Sequence, residues 1–223
     1  MSSDSPDSSH AGASPHWESM WSSGLQPGQA FDCSSPSSTL VALLNRMDKP
    51  AKGSRAMVPG CGRGYDCVAI AEKGFEEVIG LELSETATQA AREYVETSSK
   101  KGNIKIITGD FFTCNLPELE GFDFVWDMTF FCAIDPSVRP SWGSVHHRLL
   151  APGGKLACGM FPYSPEKVGG PPWHVEFDDY QKCLEGFVLE ERLDKVAEGE
   201  EHRPGGFAGL GGPGTGLSIW VKS

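Results

Sequence analysis

The sequence predicts an α/β fold built on a mostly parallel seven-stranded sheet, and three observations carry that prediction. From Ser54 onward, short apolar runs alternate with longer amphipathic ones, the pattern of repeated strand-helix-strand units. A glycine cluster, Gly60-Cys61-Gly62-Arg63-Gly64, joins the first of these strands to the first of these helices. The last two apolar runs have no helix between them, so they are free to pair antiparallel and give the sheet an antiparallel C-terminal edge strand.

The elements follow in order. Residues 1–15 are rich in serine and nearly devoid of apolar side chains, so they cannot offset the entropy of ordering and are expected to be a disordered tail. Order is expected from His16, where Trp17 and Trp21 stand four apart and share one helical face. A proline-, glycine- and serine-rich stretch, Gly24 to Ser38, leads to a short helix over Thr39 to Met47, in which Leu40, Leu43 and Leu44 have helical spacing. Strands are predicted at Arg55 to Val58, Glu77 to Leu83, Ile104 to Thr108, Phe122 to Trp126 and Lys155 to Phe161. Helices are predicted at Asp66 to Lys73, Glu85 to Glu96 with Ser84 as N-cap, and Pro140 to Leu150, which places helices on both faces of the sheet. Pro152-Gly153-Gly154 reads as the turn before the fifth strand. A helix near Asp178 to Leu184 and the runs Phe187 to Lys195 and Leu217 to Lys222 complete the chain.

Composition excludes several classes of function. The 223 residues carry 39% hydrophobic content, enough for one substantial core, which predicts a single domain over residues 16–223. Nineteen Lys plus Arg against thirty Asp plus Glu give a net charge of -11, which repels nucleic acid and anionic membranes. The sequence has no apolar window of about 20 residues and no signal-peptide core, so the expected setting is cytoplasmic. Seven scattered cysteines without a Cys-x-x-Cys pair suggest neither a disulfide framework nor a metal site. Packing is the favoured use for each of them, ahead of nucleophilic chemistry.

Three local signals point to a nucleotide-like cofactor. In Val58-Pro59-Gly60-Cys61-Gly62-Arg63-Gly64, glycines let the backbone approach a ligand and turn into a helix. A dinucleotide fingerprint would place its third glycine at position 65, where the chain has Tyr65; the G-x-G-x-G form instead suits S-adenosylmethionine. Glu82 ends the next strand, 22 residues beyond Gly60, where a carboxylate can accept from both ribose hydroxyls. The competing reading is a solvated strand-end carboxylate. Gly109-Asp110-Phe111-Phe112 follows the third strand, placing a carboxylate for the adenine amino group and an aromatic ring for stacking, although Phe111 equally suits a core. After the fourth strand, Met128 to Asp135 borders the reactive methyl and selects the substrate.

In these residues and several further segments, the chain resembles the thiopurine methyltransferase superfamily and, within it, the plant-type thiol, thiocyanate and halide methyltransferases. The resembling segments are His16-Trp17-Glu18 through Trp21, the Val58 to Asp66 loop, Gly80 to Glu85, Phe130 to Pro136, Arg139-Pro140-Ser141-Trp142-Gly143, Leu150 to Gly154 and Gly169-Gly170-Pro171-Pro172-Trp173. The resemblance implies a class I Rossmann-like methyltransferase fold with residues 16–50 forming a helical cap over cofactor and substrate. It implies that Trp17 and Trp21 close over the cofactor, that Gly60, Gly62, Gly64 and Asp127 border its methionine end, that Glu82 holds the ribose, that Leu83 is a further cofactor contact, and that Asp110 and Phe111 hold the adenine. It implies substrate-pocket positions at Thr129, Phe130, Phe161, Tyr163, Trp173 and His174, with Gly169 to Trp173 as a flap. Two departures stand out: Phe161-Pro162 replaces a Tyr-Pro pair, and Pro27 to Asp32 deviates from a Pro-Trp-Asp form.

The implied reaction is methyl transfer to a small soft nucleophile: halide, thiocyanate, bisulfide or a small thiol. Such acceptors need no general base, so alignment and water exclusion carry the catalysis. The alternatives are a larger thiol or thioether acid as acceptor, a cofactor-binding module without catalysis, and a nicotinamide oxidoreductase, the last opposed by Tyr65. His146 and His147 read as packing or surface residues, and His174 as a pocket candidate. The loop from Glu198 to Gly216, with eight glycines, reads as either a second gate or a flexible connection. The expected state is a monomer that takes a small-molecule substrate, with no metal, nucleic acid or membrane partner.

Overall fold

Runs of Val, Ile, Leu, Met and Phe form seven strands: β1 (Arg55–Pro59), β2 (Glu77–Glu82), β3 (Ile104–Thr108), β4 (Phe122–Met128), β5 (Leu150–Tyr163), β6 (Phe187–Leu193) and β7 (Gly214–Lys222). The helices are α1 (Ala13–Ser22), α2 (Ser38–Arg46), α3 (Tyr65–Lys73), α4 (Glu85–Glu96), α5 (Arg139–Leu149) and α6 (Phe177–Gln181). The computed structural model describes residues 13–114, 117–165, 169–207 and 214–223. The expected tail lies outside the described residues up to position 12, and α1 already begins at Ala13.

The strand order is β3-β2-β1-β4-β5-β7-β6. Strands β1 to β5 run parallel, and β7 runs antiparallel to both of its neighbours. The reversal expected at the C-terminal edge is thus made by β7, with β6 outermost.

Both faces of the sheet are covered, which explains strands that are apolar at nearly every position rather than alternately. Ala56, Val58, Trp126 and Met128 pack with Leu40 and Leu43 of α2, Ile70 of α3 and Ala91 of α4. Met57, Val125, Leu156 and Trp220 pack with Trp142 and Leu149 of α5 and Tyr180 of α6. Neighbouring strand residues therefore serve opposite layers, a parity that matters for the site below.

Local signals account for most element ends. Ser84 Oγ accepts from Ala87 N at 3.1 Å, a cap worth about 1 kcal/mol to α4. Proline falls in the first turn of α5, where its missing N–H costs no hydrogen bond. One boundary differs from expectation. Pro152-Gly153-Gly154 does not precede β5 but interrupts it, because Leu150 pairs with Phe122 and Lys155 with Phe124, so the intervening β5 residues bulge out. Among the described residues no helix is long and apolar enough to cross a membrane.

The strand order reverses between β1 and β4, and the carboxyl ends of β1, β2, β3, β4 and β5 all open on the same side. In open sheets of this type, that crevice is where ligands bind.

Candidate functional site

The crevice is built from the glycine turn after β1. Gly60 has φ +58°, and a Cβ there would stand 2.8 Å from the Phe130 ring, so only glycine fits. Gly62, at φ +52°, donates its N–H to Glu82 Oε2 at 2.9 Å. The other Glu82 oxygen accepts from Leu83 N at 2.8 Å and Ser84 N at 3.0 Å. Burial raises the Glu82 pKa while these three N–H groups pull it down. A carboxylate has about four acceptor positions. Three are filled, so a single one, on Oε2, is left for a ligand hydroxyl where two ribose bonds were expected.

A cavity of about 490 Å³ opens over this turn, within the range of small-molecule sites. It brings together Trp17 and Trp21, Gly60 and Gly62, Glu82 and Leu83, and Asp110 and Phe111 from the expected cofactor set. From the expected substrate set it includes Thr129, Phe130 and Phe161. Asp110 Oδ1 accepts from Phe112 N at 2.9 Å, closing the turn that presents Phe111 and Phe112. Thr129 sits at φ +63°, a left-handed conformation that a β-branched residue rarely adopts and that is typical of strained functional positions.

Helix α1 and the segment after it form the roof. The Trp21 ring lies 3.6 Å from where a Gly62 Cβ would be, and Phe31 packs edge-on to Trp17 and Trp21 at centroid distances of 5.8 and 5.7 Å. Arg63 lies 5.1 Å from the Trp21 ring centroid and donates to Asp32 Oδ2 at 2.9 Å and to the Leu25 carbonyl. Asp32 also accepts from Gly28 N at 2.9 Å and Ser34 N at 2.7 Å. At the other end of the roof, Glu18 accepts from Ser84 Oγ at 2.6 Å and from the Thr86 hydroxyl, bonds that lower its pKa.

Five expected site residues are not on the cavity wall. Gly64 is the left-handed N-cap of α3; a Cβ there would lie 3.5 Å from Ala91 and 3.6 Å from Val95, so it packs α3 against α4. Asp127 is buried on the α5 side of the sheet, accepting from Phe131 N at 3.1 Å and Trp142 Nε1 at 2.8 Å. Tyr163 donates its hydroxyl to Asp194 Oδ1 at 2.8 Å, outside the cavity. Trp173 and His174 lie beyond the flap prolines, where Trp173 N bonds Cys132 O at 2.8 Å and Val175 N bonds Pro162 O at 2.9 Å. Pro171 and Pro172 are the flap residues that reach the wall.

Several wall residues escaped sequence reasoning: Asp32, Cys33, Arg63, Asp66 and His202. Asp32 ends the stretch that departs from the Pro-Trp-Asp form, and Asp66 opens the helix after the glycine turn, so those two had a local signal. Asp66 Oδ1 accepts from Ser37 N and Oδ2 from Trp126 Nε1, both at 2.8 Å, and burial raises its pKa. His202 had no local signal at all.

The arrangement fits an adenosyl sulfonium. The wall sets the carboxylates Glu82 and Asp110 beside the apolar Leu83, Phe111 and Phe112, a combination suited to a flat base that bears polar donors and a positive charge. Among the described residues no group of three or more His, Cys, Asp or Glu side chains is placed to hold a metal ion.

Comparison with known proteins agrees with this geometry. A family model described as thiopurine S-methyltransferase matches residues 13–204. Over 168 residues, 75% of this chain and 70% of the relative, the chain is 39% identical to "Probable thiol methyltransferase 2" of Arabidopsis thaliana. It is 36% identical over the same shares to "Thiocyanate methyltransferase 1" of that plant. The fold is shared with the glycopeptide N-methyltransferase MtfA, solved in complex with (S)-adenosyl-L-methionine, at a TM-score of 0.65 and 14% identity, covering 89% of this chain and 100% of that one.

Proposed function

Because the chain belongs to the thiopurine S-methyltransferase family and is an S-adenosylmethionine-dependent methyltransferase, we propose that it methylates a small soft nucleophile, a thiol foremost, with bisulfide, thiocyanate and halide in the same chemical class. The observation that carries the proposal is the join between Glu82 and Gly62 on the wall of a cavity that is also lined by Met128, Phe130, Phe161, Pro171 and Pro172. The carboxylates of this wall suit hydroxyl and amino donors, and its apolar residues suit a polarisable, weakly hydrated acceptor.

When bound, the cofactor supplies a methyl group on a positively charged sulfur that leaves as a neutral thioether and needs no acid. The chain supplies the rest. Glu82 anchors through its free Oε2 position, Gly60 and Gly62 admit the methionine end, and Asp110 with Phe111 hold the base. Trp17 and Trp21 close the roof, and Thr129, Phe130 and Phe161 shape the acceptor side. Residues 16–50 act as the cap, pinned at Arg63 and Asp32 on one side and at Glu18 and Ser84 on the other. Closing such a roof excludes water, which strengthens every electrostatic contact within. The net charge of -11 supports a protein that acts on small molecules rather than nucleic acid or anionic membrane.

A panel of iodide, thiocyanate, bisulfide, small aliphatic thiols, an aromatic thiol and a thioether acid, assayed for methyl transfer, tests the proposal alongside calorimetry with S-adenosylhomocysteine. Turnover of a soft nucleophile is expected. Cofactor binding with silence across the panel would make the protein a binding module, and turnover confined to the bulky acceptors would favour the larger-substrate alternative.

A further inference from the structure

The acceptor side of the cavity carries a titratable pair that the reaction as described leaves unused. His202, on the connection between β6 and β7, is buried at 8% exposure and still lines the cavity. Its ring lies 5.0 Å from Phe161, edge-on, and both ring nitrogens are 3.8 Å from Cys33 Sγ. Its Nδ1 is 3.4 Å from Ser37 Oγ and its backbone N–H donates to Thr215 Oγ1 at 3.1 Å. With Nδ1–H directed to Ser37, the lone pair resides on Nε2.

The charge on the wall is as informative. Five carboxylates, Asp32, Asp66, Glu82, Asp110 and Asp135, face a single guanidinium, Arg63, which is already engaged by Asp32. That balance favours a cationic cofactor and disfavours an anionic acceptor beside it. A neutral thiol enters such a wall more readily than iodide or thiocyanate, but it must lose a proton on methylation, and of the two imidazoles on the wall His16 is exposed whereas His202 is buried beside Phe161.

We propose that His202 is the proton acceptor for an uncharged thiol substrate, hydrogen sulfide or a small organic thiol, and that it makes such thiols preferred over halide and thiocyanate anions. The inference rests on the reading of this cavity as the methyl-transfer site. As the thiol sulfur forms its bond to the methyl carbon, the carbon–sulfonium bond breaks and its electron pair stays on the departing thioether sulfur. The S–H pair stays on the acceptor sulfur and the proton passes to His202 Nε2, which releases it to solvent once the product leaves.

Burial holds the His202 imidazole at about 4, so it is uncharged near neutral pH. The titratable groups that face it are Cys33, from the segment before α2, and, one hydrogen bond beyond Ser37, Asp66 at the start of α3; its neighbour Arg203 is exposed and tied to Glu201. Burial with Asp66 and Asp32 pushes the Cys33 thiol up to about 12, so Cys33 stays an S–H group. A thiol-to-imidazole contact of the kind the substrate would make is therefore already built into the fold.

The test compares the unsubstituted protein with His202→Gln, using 2-mercaptoethanol, hydrosulfide, iodide and thiocyanate as acceptors. For the thiols, kcat/KM is expected to fall by about tenfold in the variant, below the full range of general-base catalysis because the buried imidazole is a weak base. It should then climb with pH as solvent generates thiolate, whereas the unsubstituted protein has a flatter profile. Iodide and thiocyanate should be poor acceptors for both proteins, and S-adenosylhomocysteine affinity should hold. Independently of the variant's folding, 2-mercaptoethanol added to the unsubstituted protein loaded with S-adenosylhomocysteine should shift the His202 side-chain ¹⁵N resonances, and iodide should not. Equal losses for thiols and iodide with an unchanged pH profile would reduce His202 to a packing residue. Faster turnover of iodide or thiocyanate than of thiols would overturn this inference while leaving the proposed function intact. Failure to bind S-adenosylhomocysteine would overturn both.

Discussion

Arg63 Nε meets Asp32 Oδ2 at 2.9 Å with side-chain exposures of 16% and 3%, and this single ion pair ties the glycine turn to the roof of the cavity. Asp32 is the hub, since its other oxygen holds the Gly28 and Ser34 amides. Asp32→Ala removes the carboxylate from a largely buried guanidinium, which keeps only the Leu25 carbonyl and the Trp21 ring, and frees two backbone N–H groups, a change that costs about 3 kcal/mol. Chemical denaturation should reveal that loss, and calorimetry should find weaker S-adenosylhomocysteine binding, because Phe31 and Trp21 lose their common support.

Glu82→Gln tests the anchor. The amide offers one acceptor oxygen to the three N–H groups that Glu82 now satisfies and turns a donor toward the rest. Hydrogen bonds to a charged group are worth about 1.5–3 kcal/mol, so cofactor affinity should drop by about tenfold to a hundredfold, as read by calorimetric titration.

Acid stability should depend on His202. Its pKa is lowered from 6.5 to about 4 by burial, so below pH 6.5 the unfolded chain binds a proton that the folded one refuses. The stability this confers is complete above 6.5 and is lost as pH falls toward 4. Between pH 7 and about 4.5 the loss comes to about 2 kcal/mol. His146, also lowered by burial, acts with the same sign, whereas Glu82 and Asp66, raised by burial, act with the opposite sign. Urea unfolding of the unsubstituted protein and of His202→Gln at both pH values isolates the His202 share: the variant should lose about 2 kcal/mol less.

Thr129→Gly should stabilise the fold and slow the enzyme. Relief of the left-handed strain at φ +63° outweighs the added freedom of glycine by about 1 kcal/mol. That shift corresponds to a rise of about 2–4 °C in Tm for a chain of this size, measurable by scanning calorimetry. Turnover should fall because Phe130, packed at Gly60, loses its rigid neighbour.

Gly205→Ala should lift the connection that carries His202. A Cβ at Gly205 would sit 1.6 Å from the Gly28 carbonyl oxygen, so the bonds from Gly205 N to Asp32 O at 3.1 Å and from Gly206 N to Ala30 O at 2.6 Å cannot persist. Faster amide exchange at Gly205 and Gly206, with a raised KM for the acceptor, is the expected result.

How much of this was legible in the chain depends on distance and parity. The place of Gly60, Gly62 and Glu82 on the cavity wall could be read because it follows from one turn and one strand end. Ser84 likewise announced the start of α4. Asp127 misled for a reason of period two: Trp126 and Met128 face the α2–α3 layer and Asp127 faces α5, where the Trp142 indole meets it. Strand ends do not declare their parity without the register. Tyr163 misled because Asp194, distant in sequence, captures its hydroxyl. His202 was invisible because its partner Cys33 is 169 positions away, and only the closed sheet brings them together. Of the glycine-rich connection, residues 208–213 lie outside those described, and His202, Pro204 and Gly206 are its residues on the cavity wall.

Strand β7 lies inside the sheet although it comes last in the chain, bonded to β5 on one side and β6 on the other. During synthesis, β6 has no place to dock until residues 214–222 have left the ribosome, and until then Val188 and Leu189 belong to a strand with two open edges. A stop codon or protease cut just before Gly214 would therefore not trim the periphery. It would split the sheet, strand β6 and detach Thr215 from His202, so the nascent protein is expected to pass quality control only once β7 is in place.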